Sequence, residues 1–174
     1  TLDRSSAASD VYKRQGRRPG VNTGTDRPRL ALDIGTHQTV IAAPDGNAWT
    51  LPVGTTSLWP LAATGPSALA VERGIQIVED AIERIAARVP QGATLEPCAG
   101  SLTPMQRGGA IAGLEQGSIR RDAIEREYQW LAARAVGAPS ARGTGFEEPS
   151  GDAVVLILRE LMHHLDVDAL RPRD

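Results

Sequence analysis

The feature that most restricts the fold of this 174-residue chain is Arg29–Val53, RLALDIGTHQTVIAAPDGNAWTLPV. Within it, RLALDI (29–34) sets Leu30, Leu32 and Ile34 against Ala31 and Asp33, the two-residue period of a strand with one buried face. GTH (35–37) is too short for anything but a tight turn. QTVIAA (38–43) is rich in β-branched residues and reads as a second strand. PDGN (44–47) then supplies the turn chemistry of a hairpin, and AWTLPV (48–53) a third strand. Parallel neighbours need crossovers of a dozen residues or more, so three strands joined this closely form an antiparallel meander.

Nothing comparable precedes that segment. Asp10–Gln15, DVYKRQ, back-translates to GAT GTG TAT AAG AGA CAG, the mosaic end of a transposase-based sequencing adaptor. Residues 1–15 therefore read as translated adaptor rather than protein. The expectation is a coding sequence that starts no earlier than Gly16 and a chain that is a fragment. Residues 16–28 are rich in Gly, Pro and Arg without periodicity, a flexible lead-in. Residues 29–174 read as one truncated domain.

The formal net charge is −2, and −3 once Asp3, Arg4, Asp10, Lys13 and Arg14 are set aside. That balance gives no footprint for nucleic acid or a membrane surface. Cys98 is the single cysteine, which excludes a disulfide framework and a cysteine-based metal site. It has no base nearby in sequence and reads as inert. No apolar run reaches the ~20 residues that span a bilayer, and a cytoplasmic protein is expected.

After the meander, residues 57–74 read as irregular, with short strands at LAA and ALAV. Residues 75–89 begin strand-like and become helical, with Ala81, Ile82, Ile85, Ala86 and Val89 on one stripe, until Pro90 and Gly92 stop them. Residues 91–109 read as loop, and GAIAGLEQG (109–117) is assigned to no element. A helix is expected over 118–136, capped by Ser118 and striped by Ile124, Tyr128, Leu131 and Ala135. A second spans 150–167, capped by Ser150 with Asp152 in its first turn. Its buried face is Val154, Ile157, Leu158, Leu161 and Leu165. Another strand is expected to begin where the chain ends at RPRD (171–174). Trp49, Trp59 and Trp130 are placed in the core or at its edge. His163 and His164 are about 100° apart on their helix, cannot share a metal from one face, and are assigned to the surface. GLEQGS (113–118) lacks the GK[ST] ending of a P-loop.

Chemistry concentrates at Asp33–Thr39. A carboxylate ends a buried strand, a glycine-containing turn follows, and a hydroxyl opens the next strand. Amides of such a turn can converge on an anion. Gly35 permits close backbone approach, the Thr36 hydroxyl can bond a phosphate oxygen, and Asp33 can hold Mg²⁺ through its waters. His37 either donates to phosphate or is merely exposed. The plain alternative is a hairpin in which Asp33 bonds the turn amides as an Asx-turn residue.

LALDIGTHQTVIAAPDG resembles the first phosphate loop of the actin-like ATPase superfamily, which includes sugar kinases, 70-kDa heat-shock chaperones and bacterial actins. Asp33, Gly35 and Thr36 fall on its pattern, with His37 and Gln38 completing the turn. The resemblance implies an α/β fold of ribonuclease-H-like type, a meander opening a mixed sheet with packed helices. It implies ATP and Mg²⁺ as ligands, with Asp33 positioning the metal through water and Gly35, Thr36, His37 and Gln38 around the phosphates. It is specific over 29–53 and loose over 54–167. There the 70-kDa chaperone type is the nearest comparison, through a strand leading into a helix at 75–89 and an amphipathic helix at 147–165. The partners implied are nucleotide and client proteins, or further copies of the chain if it is a bacterial-actin-type filament protein. The lysine that the chaperones use after the meander is missing, since Lys13 is the only lysine. A non-hydrolysing interaction domain is thus a third reading. The second phosphate loop, D-x-G-G-G-T, is also missing from 29–174. A complete ATP site is not expected in this chain, and half a sheet is expected to leave an unpaired edge.

Overall fold

The computed structural model describes residues 27–61 and 65–173. The adaptor-like segment, nearly all of the lead-in and most of the LAA strand lie outside the described residues.

The meander forms as its pattern dictates. Arg29–Ile34 (β1), Thr39–Ala42 (β2) and Ala48–Leu51 (β3) pair antiparallel, Ile34 opposite Thr39 and Ile41 opposite Trp49. Leu30, Leu32 and Ile34 point into the core while Arg29 and Asp33 are exposed. At the β2–β3 turn Gly46 has φ +91°, a conformation glycine adopts without strain.

Ala68–Ala86 is one helix (α1), capped by the Ser67 hydroxyl on the Ala70 amide. The strand expected at ALAV and the strand-like start at 75–78 are therefore both wrong. Val71, Gly74, Val78, Ala81, Ile82 and Ile85 are buried at helical spacing, and the stripe outweighs the β-branched composition. Gly74 is no breaker here. A Cβ on it would stand 2.8 Å from the Trp59 ring and 2.9 Å from a Leu156 methyl, so its smallness is a packing requirement.

Thr94–Pro97 (β4) lies parallel to β1 in the middle of the sheet, where a loop was expected. Its Glu96 and Pro97 hide the strand signal. Glu96 is tolerated because Arg29 and Arg173 bond its two oxygens, at 3.4 and 2.8 Å. A four-residue helix, Ala99–Leu102 (α2), follows. Two small hairpins come next, Gln106–Arg107 (β5) with Ala110–Ile111 (β6), and Leu114–Glu115 (β7) with Ser118–Arg120 (β8).

Arg121–Ala135 (α3) starts three residues later than expected. Ser118 belongs to β8 and is not its cap. Ile124 and Leu131 are buried, Tyr128 and Ala135 partly so, and Trp130 is 39 % exposed rather than at the core. Gly151–His164 (α4) is buried almost from end to end. Ser150 precedes it but makes no capping bond; its hydroxyl turns to Glu148. Asp152 forms a close ion pair with Arg134 of α3. Burial pushes the Asp152 carboxyl up, and Arg134 and Arg107 only partly offset that. Leu165 lies beyond α4 and is only partly buried.

Ala169–Leu170 (β9), just ahead of the RPRD segment where a further strand was expected, lies parallel to β4 and completes a sheet of order β3-β2-β1-β4-β9-β8-β7. β8 pairs antiparallel with β9, and the sheet ends in β3 on one side and β7 on the other.

Candidate functional site

Ligands of open α/β sheets bind outside the carboxyl ends of parallel strands. Here β1, β4 and β9 are the parallel strands, and the ends of β1 and β4 are joined where the Cys98 amide bonds the Leu32 carbonyl at 2.9 Å. β1 delivers Asp33 there, and the short helix α2 after β4 delivers Ser101. Ser101 is 2 % exposed. Its Oγ accepts the Ile34 amide at 2.8 Å and donates to Asp33 Oδ1 at 3.1 Å. The Asp33 carboxylate is thus held from beside the turn. It bonds no turn amide among the described residues, so the Asx-turn alternative does not describe this hairpin.

The turn itself differs in one respect from the expected anion cradle. The Gly35 amide is spent on the Gln38 carbonyl at 2.9 Å, which closes the turn. The amides of Thr36 and His37 have no protein acceptor among the described residues. Thr36, His37 and Gln38 are exposed and Gly35 half-buried. The Thr39 hydroxyl, expected at the mouth of the second strand, is fully buried and donates to the Val53 carbonyl at 2.8 Å.

That bond introduces a second loop, 53–57, which the sequence reading did not single out. Its amides donate inward, Thr55 to the Gly35 carbonyl at 3.1 Å and Thr56 to the Thr36 carbonyl at 3.0 Å. The Thr56 hydroxyl reaches the same Thr36 carbonyl at 2.8 Å and lies 3.2 Å from His37 Nδ1. A hydroxyl has one proton to give. With that proton on Thr36, His37 donates from Nδ1, and a neutral ring offers Nε2 as an acceptor. Gly54 makes this packing possible, since a Cβ there would lie 2.4 Å from the Thr36 carbonyl carbon and 2.5 Å from the His37 nitrogen. The signal that could have found this loop is Val53-Gly54-Thr55-Thr56-Ser57, small and hydroxyl residues directly after a strand.

Chemically the arrangement is an exposed carboxylate fixed by a buried hydroxyl, turn amides without a protein acceptor among the described residues, and an exposed threonine hydroxyl. Hard oxygen donors of this kind suit Mg²⁺, which retains most of its waters. Asp33, Gly35, Thr36, His37 and Gln38 share one rim; Cys98 is half-buried beside it.

No known family profile matches the chain, and no curated protein sequence does. Solved structures do. The Aquifex aeolicus PPX-GPPA enzyme superposes with a TM-score of 0.57 at 14 % identity, over 84 % of this chain and 53 % of that one. An exopolyphosphatase-like protein gives 0.58 at 12 %, over 90 % and 59 %. An exopolyphosphatase from Cytophaga hutchinsonii gives 0.51 at 14 %, over 84 % and 53 %. The fold is the actin-like one. This actin-like chain spans little more than half the length of the structures it matches. These neighbours are named as PPX-GPPA and exopolyphosphatase proteins, and the chaperone and filament subtypes gain no specific support from them. Among the described residues no helix is long and apolar enough to cross a membrane.

Proposed function

We propose that the chain is part of a phosphoanhydride-binding enzyme of the Ppx/GppA kind, with the β1–β2 turn as its first phosphate loop. The observation that carries this is the pairing of an actin-like fold with two unbonded turn amides beside a fixed, exposed carboxylate. That two of the neighbours are an exopolyphosphatase and an exopolyphosphatase-like protein favours an inorganic polyphosphate chain over ATP as ligand, and both present the same phosphates. Asp33 would hold Mg²⁺ through water and Thr36 would bond a phosphate oxygen. The metal supplies charge neutralisation of the phosphates when bound. The protein's part is to hold the carboxylate through Ser101 and to brace the turn through Gly54, Thr55 and Thr56. His37 stands on the same rim, its Nδ1 3.2 Å from the Thr56 hydroxyl, and would lie beside the phosphates. The chaperone reading is weaker, since residues 29–174 hold no lysine to serve phosphoryl transfer.

The test is melting of the 174-residue chain with Mg²⁺ and tripolyphosphate, or Mg²⁺ and ATP. A ligand of the native state raises the melting temperature. Asp33→Asn should abolish the Mg²⁺-dependent part of that rise. An equal rise in Asp33→Asn, or none in the parent, would sink the assignment. Tripolyphosphate exceeding ATP supports the exopolyphosphatase reading, and the reverse order supports a nucleotide enzyme.

A further inference from the structure

Away from that turn, Glu79 of α1 meets Glu160 and His164 of α4. Glu160 and His164 are four residues apart and share a helix face. His164 Nε2 lies 3.6 Å from Glu79 Oε1 and 3.8 Å from Glu160 Oε2. Both distances are too long for hydrogen bonds. Two ligands on one tetrahedral zinc, with bonds of about 2.0–2.2 Å, stand roughly 3.3–3.5 Å apart. The separations here are near that edge, and one ligand atom from each residue falls within 4.8 Å of the others.

The remaining oxygens are occupied elsewhere. Gln76 Nε2 donates to Glu79 Oε2 at 3.2 Å, and Arg159 bonds Glu160 Oε1. Each carboxylate is therefore oriented by an outside donor with its other oxygen turned toward His164, as outer-shell partners orient metal ligands. The Glu160 side chain is 3 % exposed. A buried carboxylate needs compensation, and Arg159 gives only part of it, because its Nε is bonded to Glu125 at 2.9 Å. His164 and Glu79 are partly open to solvent, which gives a cation a way in.

We propose that Glu79, Glu160 and His164 bind a divalent cation of the zinc type, with water as fourth ligand, and so pin α1 to α4. One imidazole and two carboxylates suit zinc better than Mg²⁺, which prefers all-oxygen surroundings. The test is zinc titration of the 174-residue chain, by chelator competition and by melting. One zinc per chain and a raised melting temperature are expected. His164→Gln and Glu79→Gln should weaken binding tenfold or more and remove the rise, while His163→Gln should leave both unchanged. Cobalt(II) in place of zinc should give a tetrahedral absorption band that is lost in His164→Gln. His164 is exposed and Glu79 half-buried, so these variants spare the core. Absence of zinc binding to the parent chain, or undiminished binding in both variants, overturns the proposal. A plain histidine–carboxylate charge cluster would give that first result.

Discussion

The β1–β2 turn and helix α4 are held in opposite ways. The turn is exposed along Thr36–Gln38 and kept in shape by hydrogen bonds from loop 53–57 and Ser101. α4 is enclosed, with Ala153–Leu158 at 1 % exposure or less, and rests on apolar packing. Packing tolerates changes of shape by degrees, whereas a hydrogen-bonded turn against backbone has one geometry or none. Stability and site shape are thus separable, and substitutions should separate them.

Leu156→Ala in α4 should be the most destabilising, by about 2–5 kcal/mol in urea unfolding, since it opens a cavity in a fully enclosed position. Tripolyphosphate binding by the molecules still folded should be unchanged; a comparable loss of affinity would mean that the two regions are not independent. Gly54→Ala should cost roughly 1–3 kcal/mol through overpacking against backbone and should also abolish ligand-induced stabilisation. Retention of that stabilisation would show that loop 53–57 does not shape the site. Ser101→Ala should cost about 1–2 kcal/mol, because it leaves the Ile34 amide without its acceptor. It should weaken the Mg²⁺-dependent part of ligand binding more than the Mg²⁺-independent part.

The smallest effect lies in pH. Burial pushes the Glu125 carboxyl up, but the hydrogen bond and charge of Arg159 outweigh this, and the net is a lowered pKa. A lowered carboxyl stabilises the fold above its ordinary value of 4.5 and loses that stabilisation as pH falls through the folded value. Glu125→Gln should flatten the stability profile on that acid side, by under about 1 kcal/mol for so accessible a pair. An unchanged profile would assign the acid slope to other carboxylates.

How much the sequence disclosed follows from where the forces act. Leu30, Leu32 and Ile34 alternate without interruption, and Val154 to Leu161 repeat at helical spacing, so β1 and α4 were legible. α1 was misread before residue 79 because ALAV and the β-branched start at 75–78 look like strand, while the helical stripe continues through Gly74, which packs against Trp59 and Leu156. β4 was missed because Glu96 breaks its apolar run, and the arginines that neutralise it are 67 and 77 residues away. The phosphate turn was legible as a motif. Its support was not, since Ser101 lies 68 residues from Asp33. The Glu79–Glu160–His164 cluster escaped for the same reason, with its carboxylates on separate helices.

Gly54 has a consequence for how such a chain can drift. The turn is gripped through the carbonyls of Gly35 and Thr36, atoms that every residue possesses. Side chains at 36 to 38 are free to diverge between lineages without changing the turn's path, while position 54 admits no Cβ. A relative too distant to be recognised by its loop spelling should still be recognisable by a glycine standing just past the third strand.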